Sequence, residues 1–74
     1  MTRLPVLRPR QVLAALEKAG FAVVRVKGSH YQLMSEASGR RVTIPFHSRD
    51  LSRATLASIV SQSGLSIEAF LRLL

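Results

Sequence analysis

Apolar side chains recur at helical spacing toward both ends of the chain and alternate with polar ones in the middle. Residues 9–19 carry such a stripe, which opens at Pro9 and stops at Gly20, as expected of a helix with one buried face. Further on, "LSRATLASIVSQSG" predicts a second helix and "IEAFLRLL" a short third one.

Three short runs between the predicted helices are typical of β-strands. They are "FAVVRVK", "HYQLMS" and "RRVTIP", separated by Gly28-Ser29 and by residues 36–39. Connections this short favour an antiparallel meander. The order of elements therefore predicts one α+β domain over residues 1–74, in which the helices cover one face of a three-stranded antiparallel sheet.

The two turns set a register that divides the strand residues between two faces. If Gly28-Ser29 is a two-residue turn, Lys27 pairs with His30 and Val24 pairs with Leu33. A four-residue loop at 36–39 extends the ladder to the third strand. The apolar face is then predicted to hold Val24, Val26, Tyr31, Leu33, Val42 and Ile44. The other face is predicted to be open and basic, with Arg25, Lys27, His30, Gln32, Met34, Arg41 and Thr43.

The charge balance points to an anionic partner. Eleven Lys and Arg residues against four Asp and Glu residues give a net charge of +7, and the positive charges are spread along the chain, which predicts a basic surface on a folded body. Nucleic acid is the first candidate, because phosphate contacts reward distributed cations. Near the starts of the predicted helices, the arginines at 8, 10, 49 and 53 are either phosphate contacts or solvated charges.

Composition also argues against several classes of protein. The chain has no cysteine, so a disulfide framework and a thiolate metal site are excluded. Its four acids are scattered over separate predicted elements, whereas a two-metal nuclease needs clustered carboxylates. The apolar stretches fall far short of the ~20 residues of a membrane span. We expect a soluble cytoplasmic protein with no metal, cofactor or membrane contact.

The "KGSH" stretch combines a turn signal with a reactive side chain. Gly28 provides the positive φ that the first position of a type II′ turn requires, and Ser29 is ordinary at the second. His30 follows on the open face, expected beside Arg25 and Arg41. Cationic neighbours favour the neutral imidazole, which can accept a proton next to a bound phosphodiester. Taken alone, such a histidine is more typical of an ordinary surface position without a catalytic role.

Four motifs follow one another along most of the chain from about Pro9. They are G-F-x-x-x-R-x-K-G-S-H at 20–30, I-P-x-H at 44–47, T-L-x-x-I at 55–59 and L-S-x-x-x-F at 65–70. Their order and spacing resemble the HicA family of toxin–antitoxin ribonucleases. The family's glycine before the helical threonine is Ala54 here, and its last helix aliphatic is Val60. Neither difference touches the residues that carry the expected chemistry.

The resemblance implies a double-stranded-RNA-binding-domain-like α-β-β-β-α fold and a metal-independent mRNA endonuclease. It places the single catalytic histidine at His30 and implies a HicB-like antitoxin that holds the toxin inactive. The imidazole would take the proton of the RNA 2′-hydroxyl while nearby cations offset the charge on the phosphorane. The residues expected to bind RNA around it are Arg25, Lys27, Gly28, Ser29 and Arg41.

Two other assignments and two other functions stay open at this point. His47 is a candidate second acid or base, although a hydrogen-bonding role in its loop is the more ordinary interpretation, and Tyr31 is expected to face the core. A non-catalytic RNA-binding module would use the same phosphate and 2′-hydroxyl contacts without requiring His30. A small adaptor for an acidic protein would explain the charge but leave the G-S-H turn unexplained.

Overall fold

Three helices and three strands form the part of the chain, residues 3–74, that the computed structural model describes. In chain order they are α1 (Pro9–Lys18), β1 (Phe21–Lys27), β2 (His30–Ser35), β3 (Arg41–Pro45), α2 (Arg53–Ser63) and α3 (Ile67–Leu71). The strands form one antiparallel sheet in the order β1-β2-β3. The predicted α+β fold, resembling a double-stranded-RNA-binding domain, is confirmed, with α3 added after α2.

Local signals mark the ends of α2 and α3. The Ser52 hydroxyl accepts a hydrogen bond from the Thr55 amide at 3.1 Å and so caps α2. That helix ends at Gly64, whose φ of 76° is the left-handed conformation of a helix stop. Ser66 caps α3 in the same way, by accepting from the Ala69 amide at 3.1 Å. Gly64 and Ser66 together explain why α3 begins so soon after α2 ends.

The ladder between β2 and β3 has the predicted register. Leu33 pairs with Val42, and Tyr31 pairs with Ile44. The last pair of the ladder is bonded as well, since the Ser35 amide donates to the Arg40 carbonyl at 3.0 Å. The residues between 35 and 40 therefore close a loop of the expected length.

The ladder between β1 and β2 differs from the prediction at one residue. The register shifts between Val23 and Arg25, so that Val23 pairs with Leu33 and Val24 is the extra residue of a β-bulge. The predicted pairing of Val24 with Leu33 is therefore wrong. Val26 keeps its predicted place on the ladder, yet it is 52% exposed and Val24 is 53% exposed. The prediction that these two valines belong to the covered apolar face is therefore wrong. Their strand, β1, is an edge strand in which only Phe21 is buried.

The core lies between one face of the sheet and the helices. Its fully buried side chains come from both the helices and the sheet and include Val12, Leu16, Leu33, Val42, Ile44, Leu56, Ile59 and Phe70. Burying each side chain of this size contributes roughly 1.5–3 kcal/mol. The helices therefore occupy the apolar face and leave the opposite face of the sheet free.

The outer edge of β3 is attached to α2, whereas β1 forms the free edge of the sheet. The Gln62 side-chain oxygen accepts the Thr43 amide at 3.1 Å, which satisfies an edge donor of β3. The Arg40 guanidinium donates to the Gln62 carbonyl at 3.4 Å. These contacts fix the sheet against α2 at the side away from β1. Within residues 3–74, every helix falls short of the length and apolar character that crossing a membrane requires.

Candidate functional site

The turn that carries the histidine has the geometry expected from its sequence. Gly28 has a φ of 59°, whereas Ser29 does not adopt a positive φ, which fits a type II′ turn. Lys27 pairs directly with His30 across the turn. The Ser29 carbonyl accepts the Phe46 amide at 2.6 Å, so the turn is tethered to the chain just after β3.

Two cations lie next to His30 on the open face. Lys27 is its direct cross-strand partner, and Arg25 pairs with Gln32, the next residue of β2 on the same face. Side chains directly opposite each other in such a ladder have Cβ atoms about 4.5–5.5 Å apart, and diagonal neighbours are about 7–8 Å apart. Both cations and the imidazole are exposed. One phosphodiester can therefore contact all three residues.

Arg41 lies on the same face but not beside His30, contrary to expectation. Arg41 pairs with Met34, four residues along β2 from His30, whereas Pro45 is the residue of β3 opposite the histidine. At a rise of about 3.4 Å per residue, this separates Arg41 from His30 by roughly 14 Å along the sheet. The expected adjacency was wrong because the antiparallel direction of β3 carries its first residue away from the turn. Arg41 is therefore too far along the sheet to share one phosphate with His30.

The cations of the open face retain their positive potential. The ion pair found among residues 3–74 lies away from this face. It joins Arg8 to Asp50, with 3.7 Å between Nε and Oδ1. The groups on the face have no carboxylate partner within 4 Å among those residues. A surface of this kind attracts polyanions over a distance of about one Debye length.

The structure brings the second histidine to the same end of the sheet. Because Pro45 pairs with His30, the loop that follows begins beside the turn. In that loop, His47 Nδ1 accepts the Arg49 amide at 3.2 Å, which is the hydrogen-bonding role expected for it. A neutral imidazole that accepts at Nδ1 carries its proton on Nε2. This nitrogen is therefore a hydrogen-bond donor.

One feature of this region was missed from the sequence. The ring of Phe46 stacks against Tyr31, with 4.1 Å between centroids and 27° between planes, and it lines a cavity together with the start of α1. The Tyr31 side chain is half-buried and packs against the core, on the side of the sheet predicted for it. The available signal was a single aromatic residue in an otherwise polar loop, and its contacts depend on the tertiary fold.

The acidic and imidazole groups are dispersed in three dimensions as they are in the sequence. Among residues 3–74, no three side chains of His, Cys, Asp or Glu are grouped as metal ligands would be. The chemistry available at the turn is therefore that of an exposed imidazole beside two cations of β1.

An open basic sheet with a histidine at its hairpin turn defines a small domain suited to binding a phosphodiester chain. Comparison with protein families gives a more specific assignment. The family described as the HicA toxin of bacterial toxin–antitoxin systems matches residues 9–65 of the 74-residue chain, and the chain belongs to this family. No curated protein sequence matches it. The matched region includes the turn, the loop at 46–48 and all of α2, so the features described above lie within the part that defines the family.

Proposed function

We propose that this toxin is a metal-independent mRNA endonuclease in which His30 is the general base. The observation that supports this most is the position of His30, exposed at the hairpin turn and paired with Lys27 on an open basic face. Membership of a toxin family adds to it, because degradation of mRNA stops growth without requiring a second enzyme. The cytoplasm, where mRNA is found, is the proposed location.

In the proposed reaction the RNA supplies its own nucleophile. The imidazole of His30 takes the proton of a 2′-hydroxyl, and the resulting oxygen attacks the adjacent phosphorus. The bond from phosphorus to the 5′-oxygen breaks, leaving a 2′,3′-cyclic phosphate on one product. The leaving 5′-oxygen takes up a proton from water, and the imidazolium of His30 gives its proton to the hydroxide that remains. His47, whose Nδ1 accepts the Arg49 amide, can donate a hydrogen bond from Nε2 to a phosphate oxygen but does not supply this proton. The amine of Lys27 and the guanidinium of Arg25 stabilise the extra negative charge of the phosphorane.

The turn itself gives the phosphate close access to the chain. Nothing lies within 4 Å of the point where a side chain at Gly28 would begin, so a phosphate can approach the backbone there. The Ser29 hydroxyl is exposed and can donate to a phosphate oxygen. Arg41, further along the face, is proposed to contact the RNA strand outside the cleaved bond.

The proposed regulator is a HicB-like antitoxin that covers the same face. Toxin–antitoxin membership calls for a protein partner, and the unneutralised cations favour acidic side chains on that partner. In the purified complex, amide hydrogen exchange at residues 25–43 should slow relative to the free toxin. Unchanged exchange there, with protection elsewhere, would mean that the antitoxin inhibits from a distance.

The chemistry is tested by the products and by the effect of a chelator. Purified toxin incubated with single-stranded RNA in excess chelator should cleave it and leave 2′,3′-cyclic phosphate ends or their opened forms. Silencing by the chelator would refute the metal-independent reaction. Binding of RNA without cleavage under any condition would place the protein in the class of non-catalytic RNA-binding modules.

The binding mode is tested by its salt dependence. Each phosphate contact to a single strand contributes about 0.7 to the negative slope of log affinity against log salt. With Lys27, Arg25 and Arg41 engaged, the slope should be roughly −2 or steeper. An affinity that stayed constant between about 50 and 200 mM salt would contradict an interface dominated by phosphates.

A further inference from the structure

A cavity of about 470 Å³ opens between the loop at 46–48 and the first turn of α1. The residues that line it include two arginines, an aromatic residue and a histidine, which are Arg8, Arg10, Phe46 and His47. Pockets that hold small ligands have volumes of about 300–1,000 Å³. A single nucleotide falls within this size class and has chemistry that matches such walls.

The positive charge of the cavity comes from side chains. Arg8 is partly offset by Asp50, at 3.7 Å, whereas Arg10 has no carboxylate within 4 Å among the described residues. The backbone amides of the first helical turn contribute little, since Pro9 has none and the Gln11 amide already donates to the Arg8 carbonyl at 3.0 Å. One guanidinium group can donate two parallel hydrogen bonds to the oxygens of a phosphate, which suits the two arginines to a nucleotide phosphate.

The aromatic wall is held in a fixed position. One side of the Phe46 ring packs on Tyr31 with 4.1 Å between centroids, and the ring is half-buried while it also lines the cavity. A ring fixed in this way loses little freedom when a second flat group stacks on it. Bases stack on such platforms whatever their identity.

The same phenylalanine connects the cavity to the histidine turn. Its amide donates to the Ser29 carbonyl at 2.6 Å, so the cavity wall and the turn are directly joined. We propose that the cavity is a nucleotide subsite that holds the base and phosphate of a nucleotide flanking the cleaved bond. The identification of the ligand as RNA rests on the proposed function, whereas the binding of a nucleotide rests on the cavity.

The first test measures RNA affinity in a variant that lacks His30, the proposed general base, so that the RNA is not cleaved. In His30→Ala protein, with RNA integrity checked on a gel, Arg10→Ala should weaken binding of single-stranded RNA about tenfold. It should also make the salt slope shallower by about 0.7. The matched control is Arg72→Ala, which removes the same charge from an exposed arginine outside the cavity. Equal losses of affinity for the two variants would overturn the subsite.

The second test uses small probes that do not depend on cleavage. Adenosine 5′-monophosphate added to the wild-type chain should shift the amide resonances of residues 8–11 and 46–48, and Arg10→Ala should reduce those shifts. Inorganic phosphate and adenosine, added separately, should each shift them less. Equal shifts with inorganic phosphate alone, or no shifts with the nucleotide, would overturn the proposal. If the nucleotide shifts these residues but the toxin cleaves no RNA, the subsite stands and the proposed catalytic function fails.

Discussion

Replacing Gly28 by alanine separates the shape of the turn from its chemistry. At a φ of 59° an L-residue is strained, at a cost of about 1–2 kcal/mol. The new methyl group meets no atom within 4 Å, so no collision adds to that cost. Alanine also restricts the unfolded chain, which offsets about 0.4–1 kcal/mol. The expected net loss of unfolding free energy is therefore about 1 kcal/mol, or roughly 4–8 °C in Tm for a domain of this size.

Gly39 is a matched control for this substitution. It has a φ of 73° and equally open space around its missing side chain, but it lies in the loop between β2 and β3, away from the histidine turn. Urea unfolding should show similar losses for Gly28→Ala and Gly39→Ala. RNA cleavage should fall only for Gly28→Ala, by about 10- to 100-fold, because displacement of a catalytic group by about 1 Å is costly.

Two results would refute this reasoning. A loss above about 3 kcal/mol for Gly28→Ala would exceed what positive-φ strain supplies, and would mean that the residue contacts something that the structure does not place there. Equal cleavage rates for the two variants would mean that the conformation of the turn does not position the reactive group.

Three further substitutions test the packing that supports the sheet. Gly64→Ala should lower the free energy of unfolding by about 1–2 kcal/mol, the cost of its positive φ, because the exposed Arg40 side chain that its Cβ would meet can move aside. In urea unfolding the loss should be the same in an Arg40→Ala background, and a smaller loss there would mean that the Arg40 side chain is held in place. Ser52→Ala removes the cap on the Thr55 amide and should lower the free energy of unfolding by about 1 kcal/mol. An unchanged midpoint of urea unfolding would show that the cap is dispensable. Phe70→Ala removes a side chain with 0% exposure and should lower the free energy of unfolding by about 3–5 kcal/mol. Circular dichroism should then show a largely unfolded chain. A cooperative melt near that of wild type would contradict the place of Phe70 in the core.

The position of His30 was predictable from sequence because a short local signal determines it. A glycine followed by one residue between two strands leaves little choice of turn, and that turn pairs Lys27 with His30 directly. The side of the sheet on which each residue of β2 and β3 lies then follows from alternation alone. The residues predicted for the open face accordingly lie on it, and Ala22, which pairs with Met34 beyond the bulge, joins them.

The bulge in β1 was not predictable, because the sequence has no local signal that determines its position. Residues 23 and 24 are both valine, so either register presents a valine opposite Leu33 and the hydrophobic pattern cannot choose between them. The structure places Val23 there and leaves Val24 unpaired. A single polar residue at either position would have distinguished the two registers.

The cavity was beyond sequence reasoning because it depends on contacts between distant segments. Phe46 stacks on Tyr31 of the neighbouring strand, and its loop lines the cavity together with Arg10 at the start of the chain's first helix. Neither contact has a local signature. The adjacency of Arg41 and His30 was expected wrongly although the predicted register already separates them, since residues on a shared face are not thereby neighbours.

The most direct test of the account is the rate of RNA cleavage by His30→Ala in excess chelator, compared with the wild-type chain. General base catalysis contributes about 10²- to 10⁴-fold, so the rate should fall by that factor. The exposed side chain is not part of the core, so circular dichroism should show an unchanged fold, and RNA affinity should fall only modestly. A folded His30→Ala protein that cleaves RNA at the wild-type rate would contradict the central claim.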